Sequence, residues 1–501
     1  MSPSTLPFDS VRQTTRTALA VGEPEAAVEN LEAHLQSHPG DRAAHLDARI
    51  LCERLYRFDA ALAHALAPDD PAPIVQAAQM QFGRARFGEA LALLRDVTPP
   101  ASAPAAALVM AAEVAERAEQ LDAALDFAHA ALRRAPDQPR AVRLIAHIER
   151  RRGDLPAAQA RLEARLRAGS FPDRWRLLYE LAAVRDRLGD CPGAFAAMDE
   201  AKRLLASAAA PFAEPARAVW QRQREIAEAV EAADYRRWAQ DADELPPRRL
   251  VVLAGHPRSG TTMLEQRLAA SPDAIGTDES GVFNREFAAS LLYRAPGSAR
   301  EALAEWRAWE PDELAAARDT FWQLTEAVLG EPIGPRLLIE KDPLRTPDLP
   351  LFVRLFPETK ILLPLRHPCD VALSVWMTLV PLHREGWPAS SLAAALESVA
   401  HTLTCWRLLR DRLPQAWREV RYENLTANPN RELADLRTFL AVPDSPATPA
   451  PPSPRGISTP SYLEAGGAVH SRSVGRWKHS LRQTPRSARR AASRLVSRVR
   501  L

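Results

Sequence analysis

Cysteine is scarce. The chain has four, Cys52, Cys191, Cys369 and Cys405, in 501 residues. None sits in a C-x-x-C pair and no spacing matches a zinc module. Neither a disulfide framework nor a zinc finger is therefore expected, and a reduced, cytoplasmic setting is the simplest reading. Long apolar runs are missing too. No stretch reaches the roughly 18 apolar residues that suggest a membrane span. The opening MSPSTLPFDSVRQTTR lacks the apolar centre of a secretory signal. Acid is absent from residues 482–501, which carry seven Arg; taking those from the net +2 leaves the rest of the chain at −5. Such a segment reads as a flexible, solvated tail. Each Arg would gain only about 1 kcal/mol at an anionic surface, and no nucleic-acid partner is expected. What is present, 46% hydrophobic and 26% charged residues, is the profile of a globular protein too long for one core, so two or three domains are expected.

Residues 10–205 read as helix after helix. Turns begin at Gly22-Glu23-Pro24, Arg57-Phe58-Asp59, Arg86-Phe87-Gly88, Gln120-Leu121-Asp122, Gly153-Asp154 and Gly189-Asp190, at intervals of 35, 29, 34, 33 and 36 residues. An Ala-rich helix follows each turn, and Pro39, Pro68, Pro99, Pro136 and Pro172 mark the stops. A period near 34 with two helices per unit is the tetratricopeptide pattern. Such arrays present a groove that binds extended protein segments and carry no chemistry of their own.

The pattern changes after the acidic, Pro-containing stretch 241–247. Leu250–Ala254 is a short apolar run ending in Gly255, with a helical pattern from Thr262; further runs fall at Leu337–Ile339, Lys360–Leu365 and Glu419–Tyr422. Strands alternating with helices predict a parallel α/β sheet. Between the first strand and its helix lies Gly255-His256-Pro257-Arg258-Ser259-Gly260-Thr261-Thr262, with the G-x-x-x-x-G spacing of a phosphate loop. Its backbone N–H groups and the helix N-terminus favour an anion. A nucleotide triphosphatase needs Lys at position 261 to reach the β- and γ-phosphates. This chain has Thr261 there, and its cation lies inside the loop as Arg258. That suits a shorter anion, a 5′-phosphate bearing one transferable group.

The segment Pro257–Thr262 resembles the phosphosulfate loop of sulfotransferases, which use 3′-phosphoadenosine 5′-phosphosulfate (PAPS). The loop Arg makes it most similar to the tyrosylprotein sulfotransferase branch, and repeats followed by such a domain resemble bacterial tetratricopeptide-repeat sulfotransferases. The resemblance implies an N-terminal all-α tetratricopeptide solenoid and a P-loop-like, three-layer α/β sulfotransferase domain. It also implies roles for particular residues. Ser259, Gly260, Thr261 and Thr262 would bind the cofactor alongside Arg258. Glu279 falls where the family has its catalytic Glu, with Asp278 beside it as a rival base. Lys341 in Glu340-Lys341-Asp342-Pro343 would stabilise the bridging oxygen. Arg366 and Ser374 would hold the 3′-phosphate, and Tyr422 would touch the nucleotide. Ser461 would lie near the sulfuryl group, and Arg476 of Gly475-Arg476-Trp477 on the nucleotide phosphates. The chain departs from the tyrosylprotein enzymes at Cys369, where they carry a second basic residue. His367 and Trp477 read as packing residues, and the helical stretch 282–335, with Trp306, Trp309 and Trp322, as part of the acceptor site or scaffold.

The expected domains are 1–205 (repeats), 206–247 (helical connector and linker), 248–481 (sulfotransferase) and 482–501 (basic tail), with 443–470 a loop able to cover the cofactor. The expected reaction is in-line sulfuryl transfer from PAPS to an acceptor hydroxyl with no metal, since fixed cations replace Mg²⁺. A peptide or protein acceptor, tyrosine among the candidates, is favoured; glycans and small phenols stay open. The competing readings are a repeat scaffold with a non-catalytic nucleotide-binding domain, and an NTP-dependent kinase.

Overall fold

The computed structural model describes residues 8–21, 23–67, 71–99, 101–292, 299–443, 456–462 and 471–480. Gly22, Pro68, the Arg-rich tail and most of the stretch 443–470 lie outside them. No helix among the described residues is long and apolar enough to cross a membrane. The chain divides into two compact units, Met1–Ile148 with Ser453–Gly456, and Glu149–Pro452 with Ile457–Leu501.

The first unit is built from antiparallel helix pairs, among them Pro24–Ser37, Arg42–Arg54 with Phe58–Leu66, Pro71–Gly83 with Phe87–Val97, and Ala105–Arg117 with Leu121–Arg134. Alanines make the close approach possible: Ala44, Ala48, Ala61, Ala77, Ala78, Ala90, Ala112, Ala124 and Ala128 are all fully buried. Within each pair the turn repeats one device. Tyr56, Ala85 and Glu119 take left-handed backbone at φ 59°, 57° and 60°, in the slot that Gly153 and Gly189 fill further on. The residue after each closes a 6→1 hydrogen bond, Arg57 N to Cys52 O, Arg86 N to Gln81 O and Gln120 N to Ala115 O. This is the Schellman stop of a helix, and it sets the turn of the tetratricopeptide unit.

The second unit begins inside the array. Helices Leu155–Leu166, Arg174–Arg187 and Cys191–Ala209 belong to it, since the compact units part at 148/149. The last of these helices is fastened to the residues that follow the sheet's fourth strand: Lys202 Nζ, buried, donates to the carbonyl of Ala389, and Phe195 packs on Trp376 at 4.8 Å. The connector is also built in, with Tyr235 and Trp238 buried on the helix Ala232–Asp241.

Five parallel strands follow: β1 Leu250–Leu253, β2 Ala274–Gly276, β3 Leu337–Lys341, β4 Lys360–Leu365 and β5 Trp417–Arg421. Their order is β2-β3-β1-β4-β5, with Leu253 opposite Lys341 on one side and Leu362 on the other. β1, β3 and most of β4 are buried along their length, as expected for a parallel sheet covered on both faces. The chain reverses its winding direction at β1, and the carboxyl edge beside such a strand is where open α/β sheets bind ligands. On the stretch 282–335, Trp306 is buried and stacks on Trp309 at 4.8 Å, and Phe283 and Phe321 pack on Phe352 of the helix Leu349–Leu355. Those aromatics are core.

Candidate active site

The loop after β1 is held by its neighbours before any ligand is considered. Thr346 Oγ1 accepts from Gly255 N at 2.7 Å and donates to Gly255 O at 2.8 Å. His256 is buried, with Nε2 3.0 Å from Ser398 Oγ; burial pushes its pKa down to about 4, so it is neutral. Gly255 and Gly260 have φ of 120° and 104°, open to glycine at little cost. A Cβ on Gly260 would meet Tyr422 Cδ2 at 2.7 Å, so the ring of Tyr422 lies on the loop backbone. Gly260 caps the helix Thr261–Leu268, whose first N–H groups have no intrahelical acceptor. Ser259 Oγ is buried with no hydrogen-bond partner. A donor-rich curl with an orphaned buried hydroxyl fits a phosphate or sulfate group, and residues 259–262 are the ones that would hold it.

Arg258 also takes left-handed backbone, at φ 72°. Its Nε donates to Ser374 Oγ at 3.0 Å and its Nη1 to Ser461 Oγ. Arg366 Nη1 donates to Arg258 O at 3.1 Å and Nη2 to Ser473 O at 2.6 Å, while its guanidinium lies 4.7 Å from the Tyr422 ring centroid. Arg258, Arg366, Ser374, Tyr422 and Ser461 therefore converge on one loop from positions spread over 204 residues of the sequence. Thr262 Oγ1 lies 3.3 Å from Thr459 Oγ1 on the same returning segment as Ser461.

Lys341 ends β3, fully buried, and gathers carboxylates. Its Nζ is 2.9 Å from Glu279 Oε1, 3.3 Å from Asp278 Oδ1 and 3.5 Å from Glu265 Oε2. Burial opposes its charge, but these three acids together hold its pKa above the ordinary value. Asp278 and Glu279 are both left-handed, at φ 48° and 63°, a strain of the kind that collects at functional sites. Their carboxylates differ in what they touch. Asp278 uses one oxygen for Lys341 and accepts from Ser458 N at 2.6 Å on the other. Glu279 touches Lys341 but keeps 39% of its side-chain surface open. It lies in a crowded cleft: desolvation raises its pKa, Lys341 lowers it, and Asp342 and Asp278 raise it further, for a net rise.

Arg476 Nη2 donates to Asp186 Oδ2 at 2.8 Å and to Met377 Sδ. Gly475 and Trp477 serve by their backbones: both N–H groups donate to Asp370, at 2.7 and 2.9 Å. Trp477 stacks on His367 at 4.6 Å, as packing residues do. Burial pushes the Cys369 thiol up to about 12, which leaves no thiolate at neutral pH. Sequence reasoning missed Thr346, Glu265 and Asp370. Glu265 is fully buried on the loop's own helix, with its pKa raised to about 7 by burial, and accepts from Asp278 N at 2.8 Å. The one signal for it was Gly276, where a Cβ would strike Glu265 Oε1 at 2.6 Å.

Residues 249–446 match the family model described as "Sulfotransferase family". Among curated proteins the chain is similar to "Protein-tyrosine sulfotransferase 1" of Danio rerio, 29% identical over 202 residues, which is 39% of this chain and 53% of the relative. The chain thus spans about half the length of that relative. Two solved structures are also similar to parts of the chain. The "Sulfotransferase Domain from the Curacin Biosynthetic Pathway" is 19% identical over 51% of this chain and 98% of its own, with a TM-score of 0.32. A tetratricopeptide repeat protein from Parabacteroides merdae is 15% identical over 38% of this chain and 78% of its own, also with a TM-score of 0.32.

Proposed function

We propose that this chain transfers a sulfuryl group from PAPS to an acceptor hydroxyl. The observation that carries this reading is the pairing of two fixed cations on one sheet edge, Arg258 in the loop and Lys341 at the end of β3, with the half-open carboxylate of Glu279 against Lys341. PAPS, when bound, supplies the transferable sulfuryl group and a leaving phosphate. The loop N–H groups at 259–262 hold that phosphosulfate, and Arg258 and Ser461 neutralise its oxygens. Lys341, kept protonated by three acids, stabilises negative charge on the departing oxygen. Arg366 and Ser374, with Tyr422 beside them, hold the 3′-phosphate, which separates PAPS from ATP. Arg476, oriented by Asp186, adds a further cation for the nucleotide phosphates.

Glu279 takes the proton from the acceptor hydroxyl. Asp278 is the weaker candidate because both its oxygens are already engaged. A raised pKa suits a base that must hold a proton briefly near neutral pH. The acceptor we infer is a protein or peptide hydroxyl, tyrosine first. The name of the Danio rerio relative and the protein-binding habit of tetratricopeptide arrays both support it.

The test is transfer of labelled sulfate from PAPS to tyrosine-containing peptides by the full chain and by Glu279→Ala. The substitution is expected to cut kcat by about 10²–10⁴ while leaving the Kd for 3′,5′-bisphosphoadenosine within about twofold of the parent. Unchanged transfer by Glu279→Ala would remove the base assignment. Mg²⁺-dependent ATP hydrolysis with no sulfate transfer would remove the reading itself.

A further inference from the structure

A second cluster of reactive side chains lies in the first unit, remote in sequence from the loop. Glu32, Cys52 and His64 come from three successive helices, Pro24–Ser37, Arg42–Arg54 and Phe58–Leu66. One donor atom of each lies within 4.8 Å of the others. Cys52 is fully buried, whereas His64 and Glu32 leave 13% and 38% of their side chains open, so the cluster is reached from one side.

The proton inventory of this cluster points to a ligand. His45 Nε2 lies 3.0 Å from the carbonyl oxygen of Pro39. A carbonyl only accepts, so His45 Nε2 carries the hydrogen, and in the neutral ring its Nδ1 is an acceptor. That Nδ1 sits 3.2 Å from His64 Nδ1, which must then donate. His64 Nε2 is left with a lone pair, and it faces Glu32 Oε1 at 3.8 Å. A lone pair and a carboxylate oxygen face each other with no proton to share. A cation placed between them would satisfy both. The chain of hydrogen bonds from His64 through His45 to a backbone carbonyl is also the outer shell that orients metal-bound imidazoles.

We propose that Glu32, Cys52 and His64 form a binding site for a divalent transition metal of the zinc type. A thiolate, an imidazole and a carboxylate are the donor set of zinc and not of Mg²⁺ or Ca²⁺. Three protein donors leave a fourth position for water. Zinc at about 2.0–2.3 Å from each donor needs donor separations of about 3.3–3.8 Å, which small side-chain rotations reach. Arg57, 3.6 Å from Glu32 Oε1, is the competing cation, and it lowers the Cys52 pKa against the rise that burial causes. Binding replaces the Cys52 S–H bond with an S–metal bond and releases that proton to solvent, so affinity rises with pH. The bound ion would clamp three helices of the first repeats together. No short sequence motif announces the site, because each helix gives one ligand.

The experiment uses the full chain stripped of metal and titrated with Co²⁺, which reports a thiolate ligand by a near-ultraviolet charge-transfer band. One equivalent is expected to develop the band, and Zn²⁺ to bleach it. Cys52→Ser is expected to abolish it and His64→Gln to weaken binding at least ~100-fold. Cys405→Ser is expected to leave it intact, although Cys405 Sγ lies 3.7 Å from His401. His45 is a positioning residue: His45→Phe is expected to weaken binding about 10–100-fold, and His45→Gln, which can still accept from His64 and donate to Pro39, to restore most of it. No thiolate band in the unaltered protein would overturn the proposal, and so would a band that survives Cys52→Ser or is lost with Cys405→Ser.

Discussion

Asp278 and Glu279 are adjacent acids with opposite surroundings, and the sequence alone left the base role open between them. The contacts separate them: Asp278 is used up by Ser458 and Lys341, while Glu279 stays partly open. A base must be deprotonated to act, and the folded pKa of Glu279 is raised. The kcat of the chain is therefore expected to fall as pH drops, starting above the ordinary carboxylate range. Glu279→Asp is expected to move that limb, and a pH–rate profile checks both. Lys341, held protonated, adds no limb near neutrality. Gly260 gives a second prediction. Gly260→Ala places a methyl 2.7 Å from Tyr422 in left-handed backbone. It is expected to cost about 1–3 kcal/mol of stability and to weaken 3′,5′-bisphosphoadenosine binding ~tenfold, read by calorimetry. The placement of Arg258 in the loop after β1 and of Lys341 at the end of β3 was legible because loop spacing and strand-end position constrain such residues. Glu265 was not, because an acid inside a short helix looks solvated until its helix packs against β2.

At the scale of elements, the segment 471–480 is fastened by one carboxylate. Asp370 takes the N–H groups of Gly475 and Trp477, and the same segment supplies Ser473 O to Arg366. Asp370→Ala is expected to loosen that segment and to weaken binding of 3′,5′-bisphosphoadenosine ~tenfold more than binding of AMP. Equal losses for the two nucleotides would detach Arg366 from the 3′-phosphate. The repeats were legible as elements, since period and proline stops are local signals. Their turn device was not, because Tyr56, Ala85 and Glu119 occupy a left-handed slot that composition assigns to glycine. Four of the five strands followed from short apolar runs; β2, only three residues long, and the order around β1 did not. The pairing of Arg476 with Asp186 was not legible, because a motif position does not say which carboxylate a long side chain will find.

For the whole molecule, the informative residue is Lys202. Burial lowers its pKa from 10.5 to about 7, and its neighbours are Tyr179 Oη at 2.5 Å and the Ala389 carbonyl. The unfolded chain keeps this amine protonated above pH 7 while the folded chain releases the proton, so the unfolded state binds more protons there. Stability is expected to rise as pH climbs from about 7 toward 10.5, and Lys202→Met to flatten that slope, measured by denaturant midpoints across the range. The sequence placed a boundary near residue 205 because the repeat pattern ends there. Packing is three-dimensional, and Lys202, Phe195 and Asp186 all reach residues beyond 370. This has a consequence for how such a chain can change over generations. The final helix pairs are foundations of the chemistry, so a repeat gained or lost among them would disturb Arg476 and the Ala389 turn together. Changes in the length of the array are therefore constrained at its final helix pairs.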